Sequence, residues 1–394
     1  MGRTLRLALF AVVVWSTAVS AADWSALEQY QRTVSRPEFD DLLARVYCPS
    51  GALTSYLVFT TNSVTVFSTT EKTNPPLFTL QFSAATSSAV PHTPSFKRIA
   101  LDPGHIGGEW ARMEERFFER GKDRPVQEAV LNLTVARLLK TRLEAAGAQV
   151  FLTKDNLAPV TDKRPEDFRA QAEQEIPALA RFDSFPPLDR EAAQADAVRK
   201  RAELLFYRSS EIAARANLLN GKIKPDLTIC LHFNAVEWDD CHNLVDDNRL
   251  VVFVHGNYLA SELKDDDQKL RLFSKLLERS HPVELAAAEA VATAIASATE
   301  LPPVDYGPGS GSVRAGGNPY VFARNLAASR LVNGPVVFLE PYYMNNRIVY
   351  QRIQLGDYEG ARDVAGVAMR SIFREYADAV ADGLGKLISP PVAH

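Results

Sequence analysis

The chain has 394 residues, 46% of them hydrophobic and 23% charged, proportions that exclude disorder over most of its length. Its 44 Lys and Arg against 48 Asp and Glu leave a formal net charge of −4, so no global electrostatic case exists for nucleic-acid binding. A chain this long is expected to form roughly two domains with a sizeable core.

Residues 1–21 follow the grammar of a secretory signal peptide: a basic start (MGRTLR), an apolar stretch (LALFAVVVWSTAV) and small residues at Val19-Ser20-Ala21. The stretch is shorter than the roughly 20 residues a spanning helix needs. The expectation is an exported protein, of the periplasm or cell surface, with no membrane span after signal removal; an uncleaved anchor is the alternative. Cys48, Cys230 and Cys241 are too few for a disulfide scaffold, and Cys230 with Cys241 is the near pair for one bridge.

Residues 24–85 read as a small α+β module, with helical spacing first and then the alternating runs SYLVFTTNSVTVFSTT and PLFTLQFSA. Residues 86–96 include a polar, proline-punctuated linker. Residues 97–394 have a different pattern. FKRIALDPGH is a buried-type strand running into a Gly-containing loop, Pro125 opens a long apolar-striped helix that Gly147 stops, and AQVFLTKD is the next strand. That spacing predicts a βαβ unit with parallel strands. PDLTICLHFNA, RLVVFVHG and GPVVFLEP are three further apolar runs. The fold class is therefore α/β, a mostly parallel sheet with helices on both faces, preceded by the small α+β N-terminal module. Residues 156–208, charge-rich and interrupted by proline, and the acidic stretch 238–248 read as solvated insertions, the longer of which could also cover a site.

Chemistry gathers where the apolar runs end. IALDPGH ends on His105, TICLH on His232 and VVFLE on Glu340, and Glu128 stands in the first turn of the helix after Pro125. In open α/β sheets ligands bind beyond the carboxyl ends of the strands, and imidazoles with carboxylates are the residue types that hold zinc or work beside it. Singly, each has a plain structural reading, such as a satisfied histidine or a carboxylate answering a helix dipole. Together they point to a metal site only if they converge.

The blocks RIALDPGHIGG, VQEAVLNLTVARLLKTRLEAAGAQVFLTKD, EIAARANLLNGKIKPDLTICLHFNA and GPVVFLEPYYMNN, in that order, resemble the zinc-dependent N-acetylmuramoyl-L-alanine amidases of the type 3 class. The resemblance runs from Lys97 to about Asn346. It implies that His105, Glu128 and His232 are Zn2+ ligands and that Glu340 is the catalytic carboxylate. By the same resemblance the substrate is peptidoglycan, cut at the amide between N-acetylmuramic acid and L-alanine. Asn234, in the position of the family's strand-end Asn, and Arg324 are candidate substrate-binding residues. Arg314 and Arg324 are either contacts for stem-peptide carboxylates or ordinary surface arginines.

The chain departs from the family at several points. Ile106 stands where Gly usually follows the His, the next loop (EWARMEERFFERGKDRP) is unusually charged, and Cys230 replaces a small polar residue. Alternation puts Cys230 on the same side as His232, as a packed thiol near the metal. Gly307 to Pro319 lacks the ending of a phosphate-binding loop and reads as a flexible loop. Arg215 and Asn217 are expected to anchor the helix before the His232 strand. The rival readings are a zinc hydrolase of another cell-wall peptide amide and a non-catalytic peptidoglycan-binding relative.

Overall fold

Period-two alternation along the apolar runs builds a three-stranded and a seven-stranded sheet in a computed structural model of the chain, which describes residues 22–84, 94–179, 187–236, 243–307 and 309–388. The signal-peptide reading, Cys241 and most of the linker lie outside the described residues. The chain divides into two compact units.

In the first unit, helix α1 (Arg36–Leu42) begins at the N-cap Ser35, with Pro37 in the first turn. Strands β1 (Leu57–Phe59), β2 (Ser63–Val66) and β3 (Phe78–Gln81) follow as an antiparallel sheet in chain order. Residues 256–278 belong to this unit too, although they lie inside the segment assigned by sequence to the second domain. Their helix Asp266–Leu277, the sixth in the chain (α6), places buried Leu270, Phe273 and Leu276 against the same core as Phe39, Val64 and Leu80. The apolar face of α6 explains the placement, because it would otherwise lie in water.

The second unit is built on a seven-stranded sheet. Its strands are β4 (Arg98–Pro103), β7 (Gln149–Leu152), β8 (Leu227–Leu231), β9 (Leu250–His255), β10 (Val313–Arg314), β11 (Val321–Arg324) and β12 (Val336–Pro341). The short pair β5 (Phe117–Phe118) and β6 (Val126–Gln127) stands apart as a two-stranded ribbon. Across the large sheet the order is β10-β11-β9-β12-β8-β4-β7. The β7–β4, β4–β8, β8–β12 and β9–β11 pairs are parallel, while β9–β12 and β10–β11 are antiparallel.

Alternation then sorts the side chains. Leu101, Ile229, Val252 and Leu339 point to one face, beneath α2 (Glu128–Ala145), α7 (Ser280–Thr299) and α9 (Ile372–Leu384). Ala100, Cys230, Phe253 and Phe338 point to the other, beneath α5 (Glu211–Leu218) and α8 (Ala327–Leu331). Helix α2 starts later than its sequence predicts: Pro125 lies outside it, because Val126 and Gln127 first pair with β5. Gly147, at φ 100°, ends it as expected.

The insertion 156–208 is not solvated throughout. Helices α3 (Arg169–Leu179) and α4 (Pro187–Leu204) bury Ala172, Ile176, Val198 and Ala202 against each other, and Phe206 and Tyr207 just beyond α4 bury against Ile106. The stretch read as a flexible loop contains β10, hydrogen-bonded to β11.

Candidate metal centre

Strands β4, β8 and β12 run parallel, so their carboxyl ends share one edge of the sheet, and the residues leaving them meet there. Gly104 follows β4, and a Cβ on it would lie 2.1 Å from the His232 ring, so the glycine is what leaves that ring its space. His105 comes next with φ at 64°, a left-handed conformation that costs a non-glycine residue roughly 1–2 kcal/mol. Its carbonyl is held there by Arg215 Nη2 at 2.9 Å and by Lys154 Nζ. Ile106 N donates to Glu114 Oε2 at 2.8 Å, and its side chain is fully buried with Phe206 and Tyr207. A large apolar residue thus follows the His because the insertion supplies a pocket for it.

One ligand atom each from His105, Glu128 and His232 lies within 4.8 Å of the others. Glu128 stands between the rings, with Oε2 3.2 Å from His105 Nε2 and Oε1 3.0 Å from His232 Nδ1. Arg116 Nε lies 3.3 Å from Glu128 Oε2, and Phe233 N donates to Oε1 at 3.3 Å. Burial would raise the Glu128 carboxyl, but both imidazoles outweigh it and hold the group well below its ordinary range. For His105, burial acts downward and Glu128 and Glu114 more than reverse it, to about 8. His232 is lowered, chiefly by burial.

The trio fits a metal ion on its own chemistry. Two neutral-capable imidazoles and one anionic carboxylate are a zinc-type donor set that leaves further coordination positions free. The outward nitrogen of His105, Nδ1, lies 3.5 Å from the buried Glu114 carboxylate, the arrangement that fixes the tautomer of a ligating imidazole. The His232 ring stacks on Phe338 at 4.2 Å.

Glu340, two residues beyond Phe338 on β12, is partly exposed at the same edge. Its carboxyl is pushed up to about 7 by burial and by Glu128, against the pull of Arg324, Arg116 and His105. Arg324 therefore reaches Glu340 electrostatically, with its guanidinium 5.7 Å over the Phe253 ring. Asn234 knits the end of β8 to the segment after β12: its N–H donates to Tyr342 O, and its Oδ1 accepts from Ala235 N at 2.7 Å. Cys230 is buried, with its Sγ 4.0 Å from Asp102 Oδ2.

Several residues that support the site were not legible in the sequence. Arg215 does not simply anchor its own helix; it reaches under the His105 loop. Its guanidinium donates to Pro103 O at 3.0 Å and pairs with Asp102 Oδ1 at 3.3 Å and Glu211 Oε1 at 2.7 Å. Burial pushes the Asp102 carboxyl up, and Arg215 with the Thr153 hydroxyl brings it below its ordinary value. Lys154 is pushed down to about 7 by burial and by Arg215. Glu114 and Arg116 come from the unusually charged loop that follows the His105 motif.

The chain is similar to several known proteins. The chain covers 97% or more of three solved structures, while 74–75% of this chain is covered. They are the CwlD amidase of Clostridioides difficile in complex with the GerS lipoprotein (14% identity, TM-score 0.39), the N-acetylmuramyl-L-alanine amidase Ami1 of Mycobacterium abscessus (15%, 0.39) and the N-acetylmuramoyl-L-alanine amidase AmiC2 of Nostoc punctiforme (16%, 0.38). No curated protein sequence matches the chain. The N-acetylmuramoyl-L-alanine amidase family matches residues 99–368, well over half of the chain. The chain thus belongs to the N-acetylmuramoyl-L-alanine amidase family and is an amidohydrolase of the bond between N-acetylmuramic acid and L-alanine in peptidoglycan.

Proposed function

We propose that the chain performs this hydrolysis with zinc held by His105, Glu128 and His232, and with Glu340 as general base. The observation that carries the reading is the convergence of those three side chains within 4.8 Å at the sheet edge where Glu340 also emerges. When bound, zinc supplies Lewis acidity that polarises the scissile carbonyl and acidifies water. Glu128, buried and anionic, offsets the ion's charge, and Phe338 and Glu114 keep the two rings aimed inward.

Glu340 takes a proton from water and hands it to the nitrogen leaving with L-alanine. Its elevated pKa suits both transfers, because a carboxyl near neutrality accepts and releases a proton at similar cost. Arg324 attracts a carboxylate of the stem peptide, and Asn234 offers its side-chain amide to the substrate. The polymer that is cut lies outside the cytoplasm, so the N-terminal 21 residues act as an export signal. No helix among the described residues is long and apolar enough to cross a membrane.

The test is digestion of purified peptidoglycan with and without a chelator, followed by mass analysis of released fragments and metal analysis of the protein. Free stem peptides beginning with L-alanine, lost on chelation and restored by zinc, are expected. E340Q should lose roughly 10²–10⁴-fold in turnover while keeping its metal, and H105A should lose the metal. Release of shorter peptides, or metal retained in H105A, would refute the assignment.

A further inference from the structure

A cavity of about 370 Å³ opens at the outer edge of the large sheet, lined by Asp305, Tyr306, Ser312, Arg314 and Phe322. It lies on the same sheet face as the candidate metal centre. Phe322 pairs with Phe253 across β11–β9, and Phe253 pairs with Phe338 across β9–β12, so all three rings project to one side. Glu340 is two residues beyond Phe338 and shares that side.

A chain of mostly buried ring contacts connects the two places. His232 stacks on Phe338 at 4.2 Å, Phe338 meets Phe253 at 6.4 Å, Phe253 meets Tyr306 at 6.0 Å, and Tyr306 meets Phe322 at 5.0 Å. Arg324 sits over Phe253 at 5.7 Å and Arg314 over Phe322 at 5.3 Å, so a cation caps each of those two rings. The Tyr306 phenol is raised chiefly by burial and also by Glu340, which sets the cavity wall within electrostatic reach of that carboxylate.

The polar groups are of mixed sign. Arg314, an exposed residue, supplies a guanidinium, Asp305 a carboxylate, and Ser312 a buried hydroxyl that has no hydrogen-bond partner among the described residues. An anion alone would suffer repulsion from Asp305, and a cation alone from Arg314. A group carrying an ammonium and a carboxylate on one carbon satisfies both and leaves an acceptor for the Ser312 hydroxyl. Three strand spacings of about 4.8 Å separate β12 from β10, roughly 14 Å in all. Three extended residues span about 10 Å, and a long third side chain covers the remainder.

We propose that this cavity binds the zwitterionic side-chain end of a diamino-diacid residue, of the diaminopimelate type, at the third position of the stem peptide. The proposal rests on the amidase reading and adds a specificity site to it. Expected behaviour follows from the two charges. A stem with lysine at that position keeps the ammonium and lacks the carboxylate.

The experiment measures calorimetric binding of the free tripeptides L-Ala-γ-D-Glu-diaminopimelate and L-Ala-γ-D-Glu-L-Lys to the full chain loaded with zinc. The diaminopimelate peptide should bind at least ten-fold more tightly. R314Q should bring that ratio to about one, whereas D305N should weaken both peptides together and keep the ratio. Equal binding by the unaltered protein, or a ratio unchanged in R314Q, overturns the proposal. Selective binding without release of stem peptides from peptidoglycan would sink the amidase reading and leave the cavity assignment standing. Stem-peptide release without selectivity would do the reverse.

Discussion

Replacing Arg215 with Met tests whether the buried ion network supports the His105 loop. Arg215 is 5% exposed, and its guanidinium serves four acceptors: Asp102, Glu211, Pro103 O and His105 O. Removing one partner of a buried ion pair costs about 3–5 kcal/mol, because the remaining charge stays buried and uncompensated. The loss stays near that range because both carboxylates keep other donors: Thr153 to Asp102, and the Val160 and Thr161 amides to Glu211. At roughly 2–4 °C per kcal/mol for a unit of this size, the melting temperature should fall by about 10 °C. Urea titration at pH 7 with zinc removed isolates this effect from metal linkage. The double variant R215M/D102N should recover at least ~1 kcal/mol, since Asn leaves no stranded charge. A loss below ~1 kcal/mol, or no recovery in the double variant, would refute the claim that charge compensation is what Arg215 provides.

Other substitutions probe the site directly. G104A puts a methyl 2.1 Å from the His232 ring, so zinc affinity measured by chelator competition should fall by 10-fold or more while far-ultraviolet circular dichroism is retained; unaltered affinity would mean that the ring has room to move. E114Q removes the anionic partner of His105 Nδ1 and should weaken zinc binding by about 10–100-fold, against no change if Glu114 serves only Ile106 N. R324M takes away a cation that lowers the Glu340 carboxyl. Because the base must be ionised, kcat/KM falls as pH drops through its pKa, and in R324M that acid limb should move to higher pH; a limb that stays put, or moves the other way, would show that Arg324 does not act on Glu340.

The strand–helix–strand rhythm and the positions of His105, His232 and Glu340 at strand ends were legible, because period-two burial and the sharp end of each apolar run are local signals. Glu128 was legible for the same reason, at a helix start. The partners that fix these residues were not. Arg215 and Asp102 lie 113 residues apart and meet only through the sheet, and Glu114 and Arg116 sit in a charge-dense loop indistinguishable by composition from a solvated one. Ile106 departs from the family's glycine for a reason that lies about a hundred residues away, where Phe206 and Tyr207 enclose it. The place of helix α6 in the first unit is not legible either, because an amphipathic stripe announces that a core exists and says nothing about which one.

The shared ownership of the first unit has a consequence in time. Residues 22–84 emerge early, but the helix that completes their interior, Asp266–Leu277, is made almost two hundred residues later. At about 5–20 residues per second, this leaves the nascent module waiting roughly 10–40 seconds with Phe39, Val64 and Leu80 unsheltered. A shortened protein beginning at residue 94 would inherit the opposite problem, carrying Leu270, Phe273 and Leu276 with nothing to cover them.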